Sequence, residues 1–164
     1  MVRHGWILAV LMSMLAYSGA SAWAQAPAQK AAANDVSGMY TFLREGEFVE
    51  VDVEHDGRVT GFVSRYGDSD SDRGAFLDHM FTKGAMAGNT LTFSTRSVHG
   101  VSYEFKGTVE RGEAKTPSAE GYNVIKGTLT QVTEDKNHKS SAQSREVVFK
   151  SFPADAMSPP QKKD

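Results

Sequence analysis

Residues 101–110 read VSYEFKGTVE, and this stretch decides the fold class. Its odd-numbered positions are apolar or glycine, and its even-numbered positions are polar. Successive side chains of a β-strand point to opposite faces, so a repeat of two places the apolar side chains on one face and the polar ones on the other. The stretch therefore predicts a strand with one buried and one solvated face.

The same alternation recurs on both sides of this strand. It is found, in whole or in part, in residues 38–43, 49–54, 59–64, 91–95, 123–129 and 147–151. Turn sequences lie between several of these segments, including Asp56-Gly57 and His99-Gly100. Asp-Gly is a strong hairpin signal, and consecutive hairpins form an antiparallel meander. We therefore predict seven or eight strands in the meander.

Glycine recurs in the middle of three predicted strands, at Gly61, Gly107 and Gly127. Glycine weakens a flat strand, but it permits a sharp bend at the corner of a barrel. The meander and the glycines together predict an all-β fold, a single antiparallel up-and-down β-barrel over residues 36–153. A two-sheet β-sandwich is the alternative.

Residues 74–87 fit two patterns. They alternate as a strand would, but their large apolar residues also form a helical stripe, with Asp72 as an N-cap and Gly84 as a stop. We expect a short helix or an irregular crossing here.

The first 26 residues have the three parts of a secretory signal peptide. Arg3 supplies a positive charge, residues 6–17 are almost wholly apolar, and small residues around Ala24 and Ala26 provide a cleavage site. The apolar run is shorter than the roughly 20 residues that span a bilayer, so we expect removal of the signal and no stable membrane insertion afterwards. This predicts a periplasmic or secreted protein, with residues 27–35 as a flexible leader and 154–164 as a disordered tail.

Charge and cysteine content restrict the function classes. Removing residues 1–26 leaves 17 Lys+Arg (18 minus Arg3) against 20 Asp+Glu, a net charge of −3. A nucleic-acid-binding protein is expected to be basic, so we expect no nucleic-acid partner. The chain has no cysteine, which excludes disulfides and cysteine chemistry.

The opening of the first strand, Gly38-Met39-Tyr40, together with the eight-strand pattern, resembles the lipocalin or calycin group. Barrels of that group open with Gly-x-Trp, and Tyr40 stands where the tryptophan is expected. The resemblance implies a barrel whose interior holds a small apolar ligand. It identifies no ligand and transfers no catalytic residue.

A candidate metal site lies in the loop at residues 67–74. Asp68, Asp70 and Asp72 alternate along it, and carboxylates are hard oxygen ligands that suit calcium. An EF-hand loop has glycine at its sixth position and glutamate at its twelfth, where this chain has Arg73 and His79. The alternative is an ordinary solvated turn, and no other cofactor is predicted.

The remaining candidates concern histidine and aromatic side chains. Asp78-His79 lies beside the acidic loop, and we expect His79 to join a structural polar cluster with Arg65. No H-E-x-x-H zinc motif or G-x-S-x-G elbow is present. The tyrosines Tyr40, Tyr103 and Tyr122 are candidates for lining a ligand cavity, although aromatic side chains also fill small barrels.

Three functions are compatible with these observations. The first is an exported binding module, not an enzyme, for a small apolar ligand or a protein partner. The second is an interaction domain with a filled core, stabilised by calcium at Asp68, Asp70 and Asp72. The third is a hydrolytic enzyme, which needs a nucleophile, a base and an orienting group within hydrogen-bond reach. We expect a monomer, because a closed barrel has no free edge.

Overall fold

The computed structural model describes residues 36–153. The predicted signal peptide, leader and tail lie outside these residues. The described chain forms one eight-stranded antiparallel sheet in which every strand pairs with its neighbours in sequence. The strands are β1 (Gly38–Thr41), β2 (Phe48–Val53), β3 (Val59–Tyr66), β4 (Phe76–Ala87), β5 (Thr90–Thr95), β6 (Val101–Arg111), β7 (Asn123–Glu134) and β8 (Ser140–Lys150). A 3₁₀ turn, Asp70–Asp72, lies between β3 and β4.

The sheet curls until its first and last strands meet. Tyr40 of β1 forms a bridge with Ser151, and the Phe152 backbone N–H donates to the Met39 carbonyl over 2.8 Å. The predicted all-β barrel of seven or eight strands is therefore confirmed. Within residues 36–153, no helix is long and apolar enough to cross a membrane.

Alternation fills the interior as the sequence predicts. In β6 the side chains of Val101, Tyr103, Phe105 and Val109 are buried, whereas those between them are exposed or half-buried. The core is continuous across all the strands, and its largest fully buried apolar side chains are Tyr40, Leu91, Tyr103, Ile125, Leu129 and Phe149. Burial of apolar surface is the main term that stabilises such a barrel.

Two hairpins match their turn sequences closely. Gly57 has φ +84° in the β2–β3 turn, where a Cβ group would also meet the Met86 carbonyl. In the β5–β6 hairpin, Val98 and Val101 exchange both backbone hydrogen bonds around His99-Gly100. Both central residues have positive φ, +50° and +74°, as a type I′ turn requires.

The expectation of a helix or irregular crossing within residues 74–87 is wrong. This segment is β4, which pairs with β3 from Phe76 to Met80 and with β5 from Phe81 to Ala87. A register shift between Phe81 and Lys83 separates the two pairings. Hydrogen bonding to two neighbouring strands outweighs the helical stripe, because a helix here would leave the facing edges of β3 and β5 unpaired.

The antiparallel meander sorts its loops between two ends. We call one end the mouth end, formed by the loops 42–47, 67–75, 96–100 and 135–139. The opposite base end contains the loops 54–58, 88–89 and 112–122. Loops at the two ends alternate along the sequence. Polar side chains in loops can therefore meet only when their loops lie at the same end.

Candidate functional site

A polar cluster lies inside the barrel at the mouth end. Arg65 of β3, His79 of β4 and Tyr103 of β6 occupy inward-facing positions in which alternation elsewhere places valine or phenylalanine. Their exposures are 4%, 0% and 2%. A buried arginine or histidine must be hydrogen-bonded to offset its loss of hydration, so the contacts of this cluster define what it can do.

Arg65 connects the barrel interior to the loop 67–75. Its Nε donates to Nε2 of His79 over 3.1 Å, while its Nη1 donates to the Tyr66 carbonyl over 2.9 Å and to Oδ2 of Asp68 over 2.5 Å. The structural pairing of Arg65 with His79 that the sequence predicts is therefore present. Asp78 is outside the pair, because it faces outward and accepts a hydrogen bond from the Ser64 hydroxyl over 2.7 Å.

The arginine fixes the protonation state of the histidine ring. A guanidinium can only donate, so Nε2 of His79 must accept, and Nδ1 of the neutral ring carries the proton. Nδ1 is also fully buried; it makes no hydrogen bond of normal geometry among residues 36–153, but the backbone of Arg96 and Val101 lies close enough to hydrogen-bond the ring and raise its pKa.

Tyr103 completes the cluster from the opposite wall. Its ring packs edge-on against His79 at 5.2 Å between centroids and against Phe42 at 5.3 Å. Burial raises the pKa of its phenol, and the nearby Arg65 opposes that increase. The Tyr103 hydroxyl and Nη2 of Arg65 make no hydrogen bond within the described chain, yet neither atom is fully enclosed.

Glu47 anchors the rim of the cluster. Its exposure is 2%, and its carboxylate accepts hydrogen bonds from Nε of Arg44 (2.8 Å), the Arg44 backbone N–H (3.1 Å) and the Tyr66 backbone N–H (3.0 Å). Sequence reasoning missed this residue. Its position could have been found, because Glu47 continues backward the inward-facing series of Val49, Val51 and Val53.

Burial and the guanidinium of Arg65 lower the pKa of His79 below its ordinary value of 6.5, while the backbone of Arg96 and Val101 acts in the opposite direction. The unfolded chain therefore binds this proton more readily than the folded one, so stability falls as the pH drops below about 6.5 towards the lower pKa of the folded state. We expect the melting temperature to decrease from pH 7.5 to pH 5.

The matched variants for this pH series are His79→Gln and the exposed His55→Gln. His79→Gln is less stable at neutral pH, but its melting temperature changes less with pH, because the titrating ring is gone. His55→Gln should show the same change of melting temperature with pH as the wild type. If wild type and His79→Gln lose the same number of degrees between pH 7.5 and pH 5, His79 is not the group responsible.

The three aspartates of the candidate metal loop point to different partners. Asp68 pairs with Arg65 and lies 3.4 Å from Arg44, Asp70 pairs with Arg73 at 2.5 Å, and Asp72 pairs with His99. Within the described residues, no group of three or more acidic or histidine side chains is placed to hold a metal ion. Calcium at Asp68, Asp70 and Asp72 stays a prediction, and it requires these ion pairs to open.

The calcium prediction is tested by thermal unfolding in EDTA and then in millimolar calcium. A ligand that binds only the folded state at a hundred times its dissociation constant stabilises it by about 2.7 kcal/mol, a shift of several degrees. Calcium binding predicts this shift with calcium but not with magnesium, and its loss in Asp70→Ala. Identical melts in EDTA and calcium would identify the loop as an ordinary acidic turn.

The three candidate tyrosines do not share one site. Tyr103 lies in the mouth-end cluster, but Tyr40 donates to the Val36 carbonyl and lies near Asn123 and Arg111 towards the base end. Tyr122 belongs to the base-end loop 112–122, where the Arg111 guanidinium covers its ring at 3.9 Å. Alternation places side chains on a face but does not say which end of the barrel they approach.

A shallow concavity lies on the outer surface, across β4 to β7. It has a volume of about 560 Å³ and is lined by outward side chains that include Lys83, Glu104, Lys106 and Thr128. It is open to solvent, so it does not enclose a ligand. Its shape suits contact with another macromolecule better than capture of a small molecule.

Comparison with solved structures shows a fold similar to those of rhizavidin and short afifavidin. The crystal structure of rhizavidin matches with a TM-score of 0.57 and 11% identity over 78% of this chain and 89% of that one. The rhizavidin–biotin complex matches with a TM-score of 0.53 and 12% identity, over 72% of this chain and 93% of that one. The short afifavidin–biotin complex matches with a TM-score of 0.52 and 13% identity, over 71% of this chain and 89% of that one.

These similarities show the fold, an avidin-like barrel of the calycin-like type. The calycin resemblance is thus supported at the level of architecture. No protein-family model matches the chain, and no curated protein matches it.

Proposed function

We propose that this protein is a binding module, not an enzyme, that holds a small ligand at the mouth end of its barrel. The observation that carries the proposal is the buried cluster of Arg65, His79 and Tyr103, in which Nη2 of Arg65 and the Tyr103 hydroxyl make no hydrogen bond within the described chain and are not fully enclosed. Convergent polar groups in an otherwise apolar barrel are typical of ligand sites. Rhizavidin and short afifavidin, which have similar barrels, form complexes with biotin.

Aromatic packing sets the depth of the proposed site. Next to the cluster, Phe42 packs on Phe149 at 5.4 Å, Phe149 on Phe105 at 5.5 Å, and Phe105 on Phe93 at 5.1 Å. These rings occupy the middle of the barrel. A ligand of the cluster would therefore lie on the side of the loops 42–47 and 67–75, which favours a small molecule.

The first experiment is a thermal-shift screen of the full chain against biotin, fatty acids and other small metabolites, followed by calorimetry on each hit. We expect a hit to raise the melting temperature and to bind at least tenfold more weakly in Tyr103→Phe, in which only the hydroxyl is lost. Thr108→Ala, on the outer face of the same strand, should leave binding unchanged. A hit whose affinity survives in Tyr103→Phe and His79→Gln would bind elsewhere and contradict the proposal.

A second candidate, a partner-binding domain with a filled core, rests on the outer face of β2 to β4. Phe76 and Met80 are 48% and 45% exposed there, and Phe62 lies opposite Met80 in the strand register. Exposed apolar side chains grouped on one face indicate an interaction surface. We further propose, from the predicted signal peptide, that the protein acts in the periplasm or outside the cell as a monomer.

A further inference from the structure

The contact between Arg65 and Asp68 joins a buried cation to an exposed anion. The Arg65 side chain is 5% exposed, and the Asp68 side chain that bonds its Nη1 is 64% exposed. Arg65 lies in β3, whereas Asp68 lies in the loop 67–75, two residues beyond the end of the strand. Asp68 therefore reaches inward from solvent to a guanidinium that the barrel holds in place.

Asp68 uses only part of the guanidinium. It bonds through one oxygen to Nη1, which also donates to the Tyr66 carbonyl, and Nη2 has no hydrogen bond within the described chain. A guanidinium is a planar fork that matches the two oxygens of a carboxylate. The present arrangement leaves half of that fork available.

The other unused group of the cluster is also a donor. The Tyr103 hydroxyl makes no hydrogen bond within the described chain, and it can donate. Glu47 is the nearest buried acid, and Arg44 together with backbone N–H groups already neutralises it. The cluster therefore offers a positive charge and several hydrogen-bond donors, which together suit an anion that carries oxygen atoms.

From this arrangement we infer that the mouth-end site takes a small organic carboxylate, and that Asp68 occupies the ligand's place on Arg65 until the ligand displaces it. The inference rests on the proposed function and names its ligand class. Displacement is accessible because the Asp68 side chain is already largely hydrated, so its release exposes little further surface. The incoming carboxylate gains the unused Nη2 of Arg65 and contact with Tyr103.

The test compares Asp68→Asn with Asp70→Asn in the full chain. Both aspartates lie in the same loop and pair with arginine, but Asp68 contacts the buried Arg65 and the exposed Arg44, whereas the partner of Asp70 is the exposed Arg73. The probes are straight-chain carboxylates from butanoate to decanoate, each beside its primary amide, measured by calorimetry at pH 7.5. The amide has the same shape and no charge, so each pair isolates the carboxylate.

We expect the acids to bind more tightly than their amides, and Asp68→Asn to bind the acids about tenfold more tightly than wild type. The affinity for the amides should increase much less in Asp68→Asn, and Asp70→Asn should bind both acids and amides as the wild type does. Raising the salt concentration should weaken the binding of the acids but not that of the amides, because salt screens the interaction between charges. Asp68→Ala serves as a second variant if the asparagine retains a hydrogen bond to Arg65.

Three results would overturn the inference. These are equal binding of acid and amide, unchanged acid affinity in both Asp68 variants, and no binding of any acid to wild type or variants. A neutral compound from the thermal-shift screen that binds through His79 and Tyr103 would support the proposed function and contradict only the inference that the ligand is a carboxylate. If no compound in the screen binds, both the proposed function and the inference are contradicted.

Discussion

Replacing Gly107 by alanine is expected to lower the free energy of unfolding by roughly 3 kcal/mol, at the upper end of what overpacking costs. Gly107 lies opposite Gly127 in the β6–β7 register, where the two strands approach closely. A Cβ on Gly107 would lie 2.2 Å from the Lys126 carbonyl oxygen and 2.5 Å from the Phe105 ring. The backbone atom cannot move aside without breaking the ladder, so the strain persists in the folded state.

Urea unfolding and thermal melts measure this effect, and the expected fall in melting temperature is about 10 °C. Lys106→Ala, on the exposed face of the same strand, is the control and should change the melt by no more than a degree or two. Gly127→Ala should behave like Gly107→Ala, since its Cβ would lie 2.3 Å from the Lys106 carbonyl. Native-like stability in both glycine variants would show that β6 and β7 have room to separate.

The architecture could be predicted because the periodicity and the turn chemistry indicate the same fold. Alternation in residues 101–110 places Tyr103, Phe105 and Val109 inside, and the structure buries all three. Asp56-Gly57 and His99-Gly100 lie at hairpins because they supply the positive φ values that such turns need. The order of the strands follows once each hairpin joins neighbours.

Two segments were not predictable from local pattern alone. In β4, helical and strand periodicities coexist. Only hydrogen bonding to β3 and β5 selects the strand, and the sequence of the segment itself does not show that pairing. The strand β8 begins at Ser140, but residues 140–146 are exposed on both faces and carry no apolar alternation. Their strand conformation comes from pairing with β7, in a ladder in which Ser140 lies opposite Glu134 and Lys150 lies opposite Val124.

The candidate site was predictable only in part. The pairing of Arg65 with His79 follows from their proximity to the acidic loop, and Tyr103 follows from its inward position. The division of Asp68, Asp70 and Asp72 among three different partners does not, because side-chain direction in a loop depends on contacts with other loops. For the same reason, Tyr40 and Tyr122 could not be assigned to the base end from sequence.

Replacing Glu47 by alanine is expected to lower the free energy of unfolding by roughly 2–4 kcal/mol, because two backbone N–H groups lose their acceptor. The loss comes mainly from the backbone N–H groups of Arg44 and Tyr66, which the carboxylate satisfies and which would lose their acceptor inside the mouth end. The ion pair with Arg44 adds little, because the Arg44 side chain is 52% exposed and can be hydrated instead. Glu47→Gln keeps one acceptor oxygen and should fall between wild type and alanine.

Glu45→Ala is the matched control, since Glu45 is exposed two residues away in the same loop. Hydrogen exchange separates a local from a global effect. The Tyr66 amide should exchange much faster in Glu47→Ala than the change in global stability explains, whereas the amide of Ile125 should follow global stability alone. Because Tyr66 adjoins Arg65, this loosening should also weaken ligand binding at the mouth end. If Glu47→Ala melts like Glu45→Ala and protects Tyr66 equally, the rim is held by the strand ladder rather than by this carboxylate.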